Sequence, residues 1–157
     1  MSFDKAKKYL DTAGYGERVK EFSVSSATVE LAARAVGTEP ARIAKSLTFK
    51  VDEKPVMILC AGDAKVNNSK FKKYFSTKAK MLTMEEVHEM IGHDVGGVCP
   101  FGVNDGVQVY LDISMKRFDK VYPACGSDNS AVELSISELE ETSGYIEWID
   151  VCKIPEE

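Results

Sequence analysis

The residue pattern predicts an α+β domain built on a mixed sheet. Segments of helical period and segments of strand period interleave along the chain. Several strand-period segments are joined by turns too short to hold a crossover helix, as at Asp52-Glu53-Lys54. That combination favours a mixed sheet over a doubly wound parallel one. At 157 residues, 44% hydrophobic and 29% charged, the whole chain, 1–157, fits a single domain with a sizeable core.

The elements follow in order. Phe3, Ala6, Leu10 and Ala13 recur at helical spacing, and Gly14 ends the run. Residues 18–24 read as a short strand. Ser26 is placed to cap a helix over 27–36, with Gly37 just beyond its end. Pro40 suits the first turn of a third, short helix running to about Ala44. The period then changes: residues 46–51 alternate, and 55–61 form a nearly continuous apolar run. Asn68 or Ser69 caps a helix expected to bury Phe71, Tyr74 and Phe75. Residues 80–82 make a brief strand. Thr83 with Glu86 forms a capping box opening a helix that ends near Gly92. Strands are expected at 107–113, 120–124 and 131–136. Ser137 with Glu140 offers a second capping box for a helix ending at Gly144, and 145–151 forms a closing strand.

Composition narrows the functional classes. Cys60, Cys99, Cys125 and Cys152 are widely spread, with no C-x-x-C pair, and read as free thiols in a reducing compartment. His88 and His93 are not aligned on one helical face and have no cysteine at zinc-finger spacing, so no metal site is expected. Nothing implies a cofactor. The polar opening Met1-Ser-Phe-Asp-Lys lacks the apolar core of a secretory signal, and no run reaches the length needed to span a bilayer. The expected location is the cytoplasm, with no membrane partner. The net charge of −5 argues against a general nucleic-acid coat. The charge is uneven, however: residues 65–80 hold six lysines and no acid, while 133–157 hold eight acids and one lysine. The lysine run, with Lys70, Lys72 and Lys73 at its centre, is either the solvated face of a helix or a phosphate-contacting patch with salt-sensitive binding.

Two places invite chemistry. The first is the loop Gly96-Gly97-Val98-Cys99-Pro100-Phe101-Gly102. Its glycines let a ligand approach the main chain, and Pro100 stiffens it. A stiff loop poor in side chains can present backbone N–H groups to a carbonyl oxygen or a developing negative charge. The plainer reading is a tight turn between two elements. The second is Lys45, placed where the expected short helix hands over to a strand. A lysine there can point across the mouth of the sheet and offer three donors and a charge, or lie simply on the surface.

The segments 28–37, Ala41-Arg-Ile-Ala-Lys-Ser-Leu, Gly62-Asp63, Val95-Gly-Gly-Val-Cys-Pro-Phe-Gly and Gly126-Ser127 occur in an order that resembles the YbaK/ProX family, also described as the prolyl-tRNA synthetase-associated editing domain. The resemblance covers roughly residues 20–151. It implies a mixed, barrel-like sheet with helices packed outside. It also implies a freestanding deacylase that hydrolyses mischarged tRNA such as Cys-tRNA(Pro) or Ala-tRNA(Pro), with prolyl-tRNA synthetase as a candidate partner. The alternative is a non-catalytic tRNA- or synthetase-binding module of the same fold.

On this resemblance Lys45 matches the family's key lysine. It is assigned to holding the substrate and supporting charge at the ester rather than to general base work, because a lysine amine is protonated at neutral pH. The backbone amides of Gly97 through Gly102 are candidate oxyanion donors, and Gly96, Val98, Cys99, Pro100 and Phe101 are expected to line the substrate pocket. Asp63 either faces the site or caps a helix. Gly126 and Ser127 either meet the substrate or make a turn. Ser26 and Thr28 could line the same cleft. Lys70, Lys72 and Lys73 would meet the phosphates of the acceptor arm. The attacking group is water or a group of the substrate itself, since no serine–histidine–aspartate constellation is evident. Two departures stand out. Many relatives have serine where this chain has Cys99, and a catalytic thiol would need a lowered pKa that no histidine is placed by sequence to supply. Some family segments carry histidine after the late glycine where this chain has Gly126-Ser127, which tilts the reading toward cysteine-type members.

Overall fold

A computed structural model of the protein describes residues 2–155. The chain begins with helix α1 (Ser2–Ala13), strand β1 (Val19–Glu21) and helix α2 (Val29–Val36). A 3-10 turn at Pro40–Arg42 leads into the long hairpin of β2 (Ile43–Val51) and β3 (Lys54–Ala61). The short strand β4 (Lys65–Val66), helix α3 (Asn68–Phe75) and helix α4 (Met84–Glu86) follow, and α4 runs on as a π-helical turn, Val87–Ile91. After the glycine loop come β5 (Gln108–Asp112), a 3-10 turn (Ile113–Arg117), β6 (Lys120–Pro123), β7 (Ser130–Val132), β8 (Leu134–Ser135), α5 (Ile136–Ser143), β9 (Trp148–Ile149) and β10 (Cys152–Lys153).

Six strands form a curled half-barrel in the order β8-β6-β2-β3-β5-β9. The β2–β3 and β6–β8 pairs are antiparallel, whereas β2–β6, β3–β5 and β5–β9 are parallel. This is the mixed sheet the short turns predict. At the hairpin tip Asp52 and Glu53 both have positive φ, 51° and 64°, the conformation whose twist matches that of paired strands. The apolar run Val56–Ala61 occupies a central strand and is fully buried, which explains why it does not alternate. Ala6 and Leu10 of α1 and Phe71 of α3 join the same core, with the Phe71 ring 5.0 Å from that of Phe49. A second, smaller cluster ties Ala32 and Ala33 of α2 to Ile43 of β2.

Several boundaries differ from the sequence reading. The cap of α2 is Thr28, whose side chain accepts from Leu31 N–H, while the N–H of Ser26 is held by Asp128 O. The third helix is a single 3-10 turn, so Lys45 sits inside β2 rather than at a helix–strand junction. Asn67, not Asn68 or Ser69, caps α3, and Tyr74 stays exposed. Residues 80–82 make one bridge to β2, at Phe49–Met81, rather than a strand. The second capping box is Ser135 with Glu138, two residues earlier than expected. The strand expected at 131–136 is split into β7 and β8, and the closing strand is reduced to β9 with β10 after it. The Thr83–Glu86 box and the end at Gly92 are as the sequence predicts, and Gly92 makes that end in a left-handed conformation. No helix among the described residues is long and apolar enough to cross a membrane.

Candidate functional site

A cavity of about 360 Å³ opens beside the sheet. Strand β2 gives it one wall, residues 43–48, with Lys45 among them. The approach to α2, from Ser26 to Val29, gives another, and Ala32 follows one turn on. The segment before and within α4 contributes Met81, Leu82, Met84 and Val87. Val95, Gly96 and Val98 of the glycine loop complete the enclosure with Tyr122, Ala124, Ser130 and Ala131. Lys45 and the first half of the glycine loop, which are 51 to 53 residues apart in the chain, thus line one hollow.

Lys45 is half-buried and its ammonium is held. Nζ donates to Ala64 O and, at 3.4 Å, to Gly62 O, both in the turn that leaves β3. An ammonium has three N–H donors, so these two contacts leave one for a guest. The rest of the wall is mostly aliphatic with a few hydroxyls. Among the described residues no carboxylate or imidazole lines it. Ser26 Oγ and Ser46 Oγ, on two of its wall residues, are buried without a hydrogen-bond partner. A buried hydroxyl left unpaired costs on the order of 1–3 kcal/mol, which a bound group offering a donor or acceptor would recover.

The glycine loop divides in the middle. Gly96 and Val98 face the cavity, and their N–H groups have no backbone or side-chain partner among the described residues. Gly97 does not line it: its N–H is spent on Asp94 O at 3.0 Å, and its carbonyl accepts from Gly126 N–H at 3.0 Å. A Cβ on Gly97 would overlap Ser127 N and the Gly126 carbonyl carbon, so only glycine permits this contact. Gly126 and Ser127 therefore serve as the platform under the loop rather than as cavity wall. The Ser127 hydroxyl is engaged with Asn129 Oδ1 at 2.9 Å and Ser130 Oγ at 2.7 Å.

The second half of the loop turns into the core. Cys99, Pro100 and Phe101 are buried, and Gly102, at φ 71°, packs against the backbone of Lys5 in α1. None of these four lines the cavity. Here the structure supplies a histidine that the sequence could not place. His93 Nε2 is 3.5 Å from Cys99 Sγ, yet the pair is not set up as a nucleophile and base. Nε2 lies 2.7 Å from Phe101 O, an acceptor only, so Nε2 carries the proton and Nδ1 accepts from Ser2 Oγ at 2.7 Å. A protonated Nε2 cannot take the proton of the thiol. Burial raises the Cys99 thiol far above its ordinary range and lowers the imidazole of His93, opposite to what an ion pair requires.

The remaining candidates sit elsewhere. Asp63 does not line the cavity. Its carboxylate takes two bonds from Arg117, 2.6 Å from Nη2 and 3.0 Å from Nη1, which hold its pKa below the usual carboxylate range. Lys70 is engaged with Asp150 at 3.0 Å and with Cys152 O at 2.9 Å, whereas Lys72 and Lys73 are exposed on α3. Sequence reasoning missed Ser46, Thr48, Tyr122, Ser130 and the exposed rim of Met81, Met84 and Val95. It also missed Arg117. Ser46 and Val95 lie inside segments that carry the family resemblance, but no local motif gives any of these residues a role, because their neighbours come from distant parts of the chain.

The comparisons with known proteins agree with this architecture. A family model described as the aminoacyl-tRNA editing domain matches residues 24–142. An uncharacterised protein of Bacillus subtilis, YwhH, is 54% identical over 154 residues, 98% of each chain. A proline–tRNA ligase of Bacillus cytotoxicus is 32% identical over 101 residues, 64% of this chain but only 18% of the ligase. Among solved structures, a protein described as a candidate trans-editing enzyme for prolyl-tRNA synthetase superposes with a TM-score of 0.87 at 29% identity, over 97% of both chains. Because the family model spans most of the chain, the chain belongs to the aminoacyl-tRNA editing domain family.

Proposed function

We propose that this protein is a trans-editing deacylase that hydrolyses the ester of tRNA mischarged with a small amino acid, cysteine on tRNA(Pro) foremost, with residues 20–151 as its editing unit. The observation that carries this reading is that Lys45 and two residues of the glycine loop, Gly96 and Val98, line the same cavity. The aminoacyl group enters that cavity, and the terminal adenosine remains at its mouth. The free N–H of Lys45 engages the substrate beside the ester carbonyl. The amides of Gly96 and Val98 meet the oxyanion as the carbonyl carbon becomes tetrahedral, and fixed donors of this kind lower the barrier without reorganising. Gly97 contributes by holding the loop down on Gly126 and Ser127 rather than by its own amide. The attacking group is water or a group of the substrate, because the described wall offers no base.

The unpaired hydroxyls of Ser26 and Ser46 support a guest with polar atoms, and the aliphatic remainder supports a small side chain. Size selection of this kind matters because a hydrophobic pocket separates substrates by only about 1–3 kcal/mol per methylene. Exposed Lys72 and Lys73 suit the phosphates of the acceptor arm. The place of action is the cytoplasm, where tRNA is charged, with prolyl-tRNA synthetase as a partner.

A second reading is a binding module that holds charged tRNA without turnover. The absence of any carboxylate or imidazole among the described wall residues favours it. The test is to incubate the purified protein with tRNA(Pro) carrying labelled cysteine, alanine or proline and to follow ester loss, with Lys45→Ala in parallel. Loss of the cysteinyl or alanyl ester well above the spontaneous rate, abolished in Lys45→Ala, supports the deacylase. Tight binding with no turnover supports the module.

A further inference from the structure

We propose that Asp63 and Arg117 form a positioning pair that holds the Lys45 ammonium at the cavity, acting through the backbone of the turn at residues 62–64. This rests on the reading of Lys45 as the group that meets the substrate. The argument begins with what fixes a lysine. Its four-carbon stem is flexible, and ordering such a side chain costs up to about 2 kcal/mol. Lys45 is fixed by two carbonyl oxygens, Gly62 O and Ala64 O, which flank Asp63. A turn that shifted would release the ammonium or carry it away from Gly96 and Val98.

That turn is clamped from both sides. On one side Gly62 lies against the 3-10 turn Pro40–Arg42: its N–H reaches Ala41 O at 3.4 Å, and a Cβ at this position would overlap Pro40 O. On the other side the 3-10 turn Ile113–Arg117 reaches across. Arg117 grips the Asp63 carboxylate with both terminal nitrogens, at 2.6 and 3.0 Å, while its Nε donates to Ser114 O at 2.8 Å. Ser114 Oγ accepts from Ala61 N–H at 3.1 Å, and Ser114 N–H is held by buried Asp112 at 2.9 Å. A bidentate guanidinium–carboxylate pair fixes direction as well as distance. The side chains of Asp63 and Arg117 are 25% and 32% exposed, so the pair is partly shielded from solvent screening. Neither residue lines the cavity. Their influence on a bound ester therefore passes through Lys45. Asp63 in turn is stabilised as a carboxylate first by Arg117 and, more weakly, by the Lys45 charge.

The test uses Arg117→Gln, Asp63→Asn and Arg117→Lys with two readouts. The first is the modification rate of Lys45 by an amine-acylating succinimidyl ester, followed peptide by peptide in the mass spectrometer; it needs no catalysis. The second is steady-state hydrolysis of the mischarged tRNA. Arg117→Gln and Asp63→Asn are expected to raise Lys45 labelling several-fold and to lower kcat about tenfold with KM within about twofold. Arg117→Lys, which keeps the charge and loses the fork, is expected to fall between them and the unaltered protein. Unchanged Lys45 labelling and unchanged kcat in both neutral variants would overturn the positioning role while leaving the deacylase reading intact. Faster labelling in a protein whose unaltered form hydrolyses nothing would sink the deacylase reading and keep the positioning role. Should Arg117→Gln not fold, Asp63→Asn and Arg117→Lys decide the matter, since both preserve side-chain size.

Discussion

The two halves of the glycine loop carry similar-looking chemistry into opposite environments. Gly96 and Val98 line a cavity whose wall residues include Lys45 and two serines with unpaired hydroxyls, and their own N–H groups have no partner among the described residues. Cys99 through Gly102 enter the core, where a thiol and an imidazole lie 3.5 Å apart with their hydrogen-bonding capacity already committed to Phe101 O and Ser2 Oγ. The second half has the residue types usually associated with nucleophilic catalysis, and the first half has almost no side chains at all. What separates them is whether polar groups remain available to a guest. The loop crosses from one environment to the other within a few residues because Gly97 can press flat onto Gly126 and Ser127.

The sharpest way to break this contrast is Lys45→Ala. It removes the one charge among the described wall residues and should lower ester hydrolysis by about 100-fold or more while leaving the thermal midpoint nearly unchanged. Full activity in that variant would show that the cavity is not where the ester reacts. Gly97→Ala comes next: its methyl group meets backbone rather than a flexible side chain. The loop must lift, costing about 1–3 kcal/mol of stability and most of the hydrolysis. Gly102→Ala provides the control on the buried half. Its strained φ and contact with Lys5 should cost stability, on the order of 1 kcal/mol, but kcat should hold.

The buried half also predicts a pH effect on stability. Burial lowers the proton affinity of His93, a tendency reinforced by nearby Lys5 and opposed by the contact with Phe101 O and by Asp94. As pH falls below the ordinary histidine value of about 6.5, the unfolded chain takes up a proton that the folded chain resists. Stability should therefore fall with pH from that point until the folded imidazole itself protonates. A denaturation midpoint measured from pH 8 to pH 5 checks this, and His93→Asn should flatten the decline. The smallest effect is expected from Cys99→Ser. Burial keeps the proton on the thiol and the proposed reaction does not use it, so hydrolysis should stay within about twofold. Near-complete loss would make the core pair catalytic and reverse the contrast between the two halves.

How much of this was legible in the sequence varies with the range of the interaction. The Thr83–Glu86 box, the helix end at Gly92 and the hairpin at Asp52–Lys54 are local, and the sequence spells them out. The second capping box was displaced by two residues because both Ser135–Glu138 and Ser137–Glu140 satisfy the pattern, and strand β8 decides between them by ending at Ser135. Lys45 and the glycine loop stood out as candidates, yet the sequence treated residues 96–102 as one site. The division at Gly97 depends on contacts with Ser127 and Lys5, segments distant in the chain. Asp63 was ambiguous for the same reason: its partner Arg117 lies 54 residues away.

Composition, period and turn chemistry determined on their own the α+β class, the central hairpin, most of the elements and the two stretches worth suspecting, because these features arise from neighbours within one or two turns of chain. Only the tertiary structure decided which residues share the hollow, which glycine spends its amide holding the loop in place, and why a cysteine next to a histidine keeps its proton. Those outcomes depend on desolvation and on hydrogen-bond partners contributed by remote strands, and no local pattern encodes where a curled sheet will bring them.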